Sequence, residues 1–317
     1  MSFNRLVNLG ENSHYDNQLK GLPFSAHPRI EANGDIWNFG LHPSGDIVLY
    51  HLTANGRAKQ VNIVKSNFSG VLHDFLITAR HIILVLPSLK RDMTIAGLFN
   101  GIYFDPKLPM QALVIDKNTL TLSRTYELPP GMVFHFGNAW EDNQGDIHFD
   151  ASLYQDFAVM TQLSDVMQGK TFEQYSDANT HLFTLHKQGK VSQHNFTDSS
   201  EFPRVCHHLI GQQNHLLFYT SNTTNSVWSD SVVARNLDTG KEDRFDYGAD
   251  YLVEEHIPIS PNHNEDQGYL IGTALHVPSK RTCLNIFSKH DISAGPIARA
   301  WLPYHLPLGF HGNFIAA

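Results

Sequence analysis

Apolar runs of strand length alternate with turn signals from one end of the chain to the other. Ile36-Trp37-Asn38-Phe39 follows the turn Asn33-Gly34-Asp35, and Ile47-Val48-Leu49-Tyr50 follows Ser44-Gly45-Asp46. Ala112-Leu113-Val114-Ile115 leads into Asp116-Lys117-Asn118, and Ile147-His148-Phe149 follows Asn143-Gln144-Gly145-Asp146. The pattern continues through His181–Leu185, Leu216–Tyr219, Tyr269–Gly272 and Leu284–Phe287. β-Branched and aromatic runs punctuated by Asn-Gly or Gly-Asp are the signature of hairpins, so the chain reads as an all-β meander. Helical periodicity is confined to Thr161–Tyr175, an excursion between strands. The glycine-broken apolar stretch Met93–Phe104 reads as a core-packed loop, with a membrane-touching lip as the alternative. No linker or composition shift divides residues 1–317, which read as one domain, and no sequence repeat decides between sandwich, barrel and propeller.

Composition narrows the function classes. Hydrophobic residues make up 41% of the 317, enough for a substantial core, and the net charge of −8 excludes a basic footprint for nucleic acid. Cys206 and Cys283 cannot make a disulfide framework or a cysteine-rich zinc site, and they read as reduced thiols. The first residues lack a secretory signal, and no apolar run reaches the roughly 18–20 residues of a spanning helix. A cytoplasmic location is expected. Histidine is abundant, at 20 residues, but abundance alone assigns no role.

Four histidines have distinctive contexts. His27 lies in Ala26-His27-Pro28-Arg29-Ile30 and His73 in Leu72-His73-Asp74-Phe75. His135 lies in Phe134-His135-Phe136-Gly137-Asn138-Ala139-Trp140-Glu141, and His311 in Phe310-His311-Gly312-Asn313-Phe314. In this order the four resemble the A-H-P, H-D-F, F-H-x-x-N-A-x-E and H-G-x-F motifs of the carotenoid cleavage oxygenases, a family with a bacterial stilbene-cleaving branch. His42, His51, His81, His148 and the pair His207-His208 have no such context and read as surface or core residues.

The resemblance implies a seven-bladed β-propeller whose axis gathers His27, His73, His135 and His311 around Fe(II). The gaps from 27 to 73 and from 73 to 135 suit one such histidine per blade of roughly 40–50 residues, and the long last gap leaves room for blades without one. Four neutral imidazoles without thiolates suit a borderline divalent metal such as iron. The family's outer glutamates match Glu201, to be paired with His135, and Glu255, to be paired with His311. Glu141 reads as structural. The implied reaction is dioxygenation of a conjugated C=C bond in a small apolar carotenoid, apocarotenoid or stilbene, giving two carbonyl products. Phe136, Trp140 and Phe310, close to the histidines, are candidate wall residues. The tail Leu302–Phe314 is most similar to the stilbene-cleaving type, and no G-x-S-x-G elbow suggests a hydrolase.

The chain departs from the family in three places. Met110–Asp116 stands where an arginine-bearing strand is usual, and Pro258-Ile259-Ser260 follows Glu255 where Phe-Val-Pro is usual. Family members also carry a stretch of about two blades before the first histidine. That stretch supplies a third glutamate, for His73, and in the stilbene branch a phenol-gripping Tyr and Lys, none identifiable before His27. The expectation is a propeller short of its N-terminal blades, with exposed sheet edges and low stability. Its functional alternative is an inactive remnant with a binding or structural role.

Overall fold

The computed structural model describes residues 21–314 except 93, 96–100 and 262. All eight apolar runs are strands, because each offers a period-two face to a neighbouring sheet and ends at a turn. The described strands form five large antiparallel sheets, each a meander in chain order. The first comprises Arg29–Ile30, Ile36–Leu41, Ile47–Leu52 and Ala58–Val64. The second comprises Leu76–Ile77, His81–Leu86, Met110–Asp116 and Thr121–Leu128. In the third, the short strands Met132–Val133 and Ala139–Glu141 both pair with Ile147–Tyr154, followed by Asn179–Leu185 and Val191–Ser199. The fourth runs from Glu201–Arg204 through Leu216–Ser221 and Ser231–Asn236 to Glu242–Asp246. The fifth runs from Tyr251–Ile259 through Tyr269–His276 and Arg281–Ser288 to Ala298–Trp301.

The core lies between sheets rather than within one. Trp37, Phe39 and Leu49 of the first sheet pack on Ile77, Leu84 and Ile115 of the second. The opposite face of the second sheet, with Val85 and Val114, packs on Phe149 and Phe183 of the third. Phe218 and Val232 of the fourth meet Leu270 and Phe287 of the fifth. Sheets stacked in chain order on both faces, with their first strands innermost, make a β-propeller, which explains strands buried on both sides. The described residues contain five such large sheets, and the resemblance implied seven blades.

Two local expectations need correction. The helix spans Ala158–Val166, shorter and earlier than Thr161–Tyr175. It is opened by the Asp156 carboxylate, which accepts from the Ala158 N–H at 2.8 Å, and closed at Gly169, whose φ of +83° only glycine adopts cheaply. The ends of the Met93–Phe104 stretch form a hairpin, Leu89–Arg91 with Ile102–Phe104, while Met93 and residues 96–100 lie outside the described residues. Among the described residues no helix is long and apolar enough to cross a membrane.

In the fifth sheet Gly272 is the register partner of His256, and a Cβ there would stand 2.3 Å from the imidazole Cγ. The ring is buried between the Tyr247 hydroxyl at 3.0 Å and the Glu254 carbonyl at 2.8 Å. Burial lowers its pKa to about 4. Gly272→Ala should cost roughly 1–3 kcal/mol of stability, read as a lower urea midpoint. Because the folded pKa of His256 lies below the unfolded value of 6.5, its contribution is present above pH 6.5 and is lost as pH falls towards about 4. His256→Gln should therefore flatten the pH dependence of the urea midpoint over that window.

Candidate metal centre

The innermost strands bring four distant segments to the axis. His27 stands two residues before strand Arg29–Ile30, and His73 three before Leu76–Ile77. His135 occupies the break between Met132–Val133 and Ala139–Glu141, where the inner edge of the third sheet bends away. His311 arrives on the C-terminal tail, seated along the fifth sheet by two adjacent glutamates. The Glu254 carboxylate accepts from the Gly309 and Phe310 N–H groups, and the Glu255 carboxylate accepts from Gly312 N–H at 2.9 Å. One ring nitrogen from each of the four histidines lies within 4.8 Å of every other, and the Nε2 atoms of His27 and His73 are 3.1 Å apart.

Carboxylates support two of the rings. Glu201 Oε2 lies 2.7 Å from His135 Nδ1, and its other oxygen accepts from the Tyr154 hydroxyl at 2.9 Å. Glu255 Oε1 lies 3.3 Å from His311 Nδ1 and 3.4 Å from Arg204 Nε. Burial opposes charge on both glutamates. His135, the Phe202 N–H and Tyr154 outweigh it for Glu201, and His311 and Arg204 outweigh it for Glu255, so both pKa values fall below the usual carboxylate range. Burial also opposes charge on His135, but Glu201 raises its pKa above the ordinary value. Among the described residues no carboxylate reaches the ring of His27 or His73. Burial lowers each of these to about 4, keeping both imidazoles neutral.

Arg29 holds three of the four segments together. Its Nε donates to the Phe75 carbonyl at 2.8 Å, Nη2 to the Phe136 carbonyl at 3.0 Å and Nη1 to the Gly137 carbonyl at 3.3 Å. Nη2 also pairs with Asp74 Oδ2 at 2.7 Å, and the Asp74 carboxylate accepts from the N–H groups of Phe75 and Phe136. Every group in this knot lies one or two residues beyond His27, His73 or His135. Arg29, Asp74, His27, His135, Glu255 and His311 all line one cavity of about 40 Å³.

The candidate wall residues fare differently. Phe310 packs at 5.0 Å on Trp228 and at 6.4 Å on Phe202, whose ring is 5.1 Å from His135 and 5.3 Å from His311. Phe136 turns its ring into the core against Phe149 and offers the axis only its backbone. Trp140 stacks on His148 at 4.2 Å in a groove between the third and fourth sheets, away from the four histidines. Phe202, Trp228 and Phe134, which is 5.5 Å from His73, also flank the cluster and were not anticipated from the sequence. Phe202 and Phe310 both adopt left-handed backbone conformations, with φ of +53° and +63°. Such strain in a bulky residue persists only where its surroundings dictate it. Glu141, by contrast, sits at the sheet rim on Thr78, Arg80 and His81.

The donor set fits a divalent transition metal. The Nε2 of His135 is buried with no hydrogen-bond partner among the described residues, an expensive state for a ring nitrogen unless something else binds it. Two further imidazoles are held neutral, and both thiols are buried outside the cluster. A four-nitrogen site without thiolate suits iron and its neighbours in the first transition row.

Comparison with known proteins points the same way. Residues 2–316 match the family model described as retinal pigment epithelial membrane protein. The chain is 25% identical to carotenoid 9,10(9',10')-cleavage dioxygenase 1 of Arabidopsis thaliana, over 95% of this chain and 59% of the relative. It is 24% identical to apocarotenoid-15,15'-oxygenase of Synechocystis, over 93% of this chain and 64% of the relative. To lignostilbene-alpha,beta-dioxygenase isozyme III of Sphingomonas paucimobilis it is also 24% identical, over 96% and 68%. The crystal structure of the cobalt-substituted Synechocystis oxygenase superposes with a TM-score of 0.83 at 21% identity, covering 94% of this chain and 66% of that one. The chain thus spans about three fifths of the length of the first of these relatives.

Arg29→Ala would strand the Asp74 carboxylate, whose side chain is only 4% exposed, and release three carbonyls. Removing one partner of a buried pair costs about 3–5 kcal/mol, so the urea midpoint should fall sharply. Arg29→Lys should recover only part of the loss, because an ammonium cannot reproduce the planar fork.

Proposed function

The chain belongs to the retinal pigment epithelial membrane protein family, and from that premise we propose that it is an Fe(II)-dependent dioxygenase. Its reaction would cleave a conjugated C=C bond of a carotenoid, apocarotenoid or stilbene into two carbonyl products. The observation that carries this reading is the convergence of four histidine nitrogens within 4.8 Å of one another, one of them buried with no hydrogen-bond partner among the described residues.

In this reading His27, His73, His135 and His311 hold the iron, which supplies the dioxygen chemistry that side chains cannot perform. Glu201 and Glu255 accept the Nδ1 protons of His135 and His311, which fixes both tautomers and leaves each Nε2 free for the metal. Tyr154 holds Glu201 in place, and Arg204 holds Glu255. Phe202, Trp228 and Phe310 offer an apolar, aromatic flank against which a conjugated substrate can lie, excluding water from its reacting bond. Retention of all four histidines and both glutamates disfavours the inactive-remnant alternative.

The test is to load the purified chain with ferrous iron anaerobically, then measure bound metal, oxygen uptake and carbonyl products with a stilbene and an apocarotenoid. About one iron per chain is expected, with oxygen consumed in proportion to substrate. His73→Ala and His135→Ala should abolish both metal retention and turnover. Glu201→Gln should weaken metal binding roughly 10- to 100-fold. A chain that takes up no iron, or that binds iron but leaves both substrates intact, overturns the reading.

A further inference from the structure

Behind the two glutamate-bearing strands lies a second cluster that the proposed chemistry does not use. Cys206 stands two residues after strand Glu201–Arg204, Ser260 directly follows Tyr251–Ile259, which carries Glu255, and Lys289 directly follows Arg281–Ser288. Lys289 Nζ is 3.1 Å from Cys206 Sγ and 2.5 Å from Ser260 Oγ, and the sulfur and hydroxyl oxygen are 3.2 Å apart. Cys206 is 1% exposed and Lys289 4%. The ammonium faces the Phe218 ring at 5.6 Å, and among the described residues no carboxylate reaches it.

That arrangement is chemically pointed. A buried ammonium without a carboxylate is costly, and among the described residues its bonded side-chain neighbours are the Cys206 sulfur and the Ser260 hydroxyl. Sulfur is the atom that oxidants attack, and the bonded amine nitrogen stands ready to meet its oxidised form. Ser260 is only half-buried, so the cluster lies one side chain beneath the surface, within reach of a small peroxide. Cys283 is a built-in contrast, fully buried beside the Ala274 carbonyl and Asn285, and among the described residues no cation bonds to it.

We propose that Cys206 and Lys289 are an oxidation-sensitive pair that closes into a direct S–N bond between the fourth and fifth sheets. Hydrogen peroxide first oxidises the Cys206 thiol to the sulfenic acid, with one oxygen transferred and one water released. The Lys289 nitrogen then attacks the sulfur and displaces the hydroxyl, releasing a second water and one proton as the sulfenamide forms. Condensation of a sulfenic acid with a nearby nitrogen is established chemistry for backbone amides, and here the amine is already in contact. The bond would tie the strand bearing Glu201 to the sheet bearing Glu255, so oxidation would stiffen the carboxylates that steady His135 and His311. It does not depend on the dioxygenase assignment.

The experiment treats the full chain with hydrogen peroxide, unfolds it without reductant in the presence of an alkylating agent, digests it with trypsin and weighs the peptides. The expected product joins the Cys206 and Lys289 peptides, is lighter by two hydrogens than the free pair, is uncleaved at Lys289, and separates on treatment with dithiothreitol. Cys283 should be recovered alkylated. In Lys289→Arg the charge remains but the condensing amine is gone, so the link should vanish and dimedone should label Cys206 as sulfenic acid. If that variant fails to fold, the wild-type digest decides alone. Recovery of Cys206 as an alkylated thiol, or as sulfinic acid with Lys289 still cleaved by trypsin, overturns the proposal.

Discussion

Neighbouring sheets of a propeller share side-chain packing but no backbone ladder at the axis, so nothing in the sheets themselves holds one inner strand against the next. Here the Arg29 guanidinium supplies that missing connection. Its donors reach carbonyls just beyond His73 and His135 from a position just beyond His27, and the Asp74 carboxylate closes the knot from the other side. A planar fork of fixed geometry is suited to this task, because several hydrogen bonds are satisfied at once by one rigid group. The positions of three of the four axial histidines follow from it. The fourth is placed by a parallel device, in which the carboxylates of Glu254 and Glu255 grip the backbone of the tail around His311.

The two halves of the histidine cluster are prepared for a cation in different ways. His27 and His73 are kept neutral by burial, and among the described residues no carboxylate bonds to either ring. His135 and His311 each lean on a glutamate that fixes the tautomer and adds negative charge just outside the ring of nitrogens. Two buried carboxylates opposite four nitrogen donors make a site that favours a dication without placing an anion among the donors themselves. The apolar flank lies on the supported side, built by Phe202 and Phe310 from strained backbone. Each of these residues is a direct chain neighbour of a residue in the cluster, so the strain and the placement of Glu201 and His311 are coupled.

Much of the architecture was legible in the chain. Alternating runs and Asn-Gly or Gly-Asp turns located the strands, because period-two burial and left-handed turn residues are properties of local sequence. The motif contexts of four histidines were enough to single them out from twenty. The helix was read too long because periodicity alone does not register a left-handed glycine such as Gly169. Phe136 and Trp140 were read as walls because they lie close to His135 in the chain, yet closeness in sequence does not decide which way a ring points. Phe136 enters the core, and Trp140 faces the groove between blades.

What the sequence determined by itself is the inventory: a meander of short strands, four histidines in distinctive contexts, and two glutamates matched through their motifs. What only the tertiary structure decided is adjacency across long stretches of chain. Arg29 meets Gly137 where the inner strands converge, while Phe202 and Trp228 meet Phe310 and Cys206 meets Lys289 where the fourth and fifth sheets pack together. Local patterns encode which face of a strand is buried. They do not encode which distant strand will be buried against it, and that pairing comes from the packing of the assembled blades.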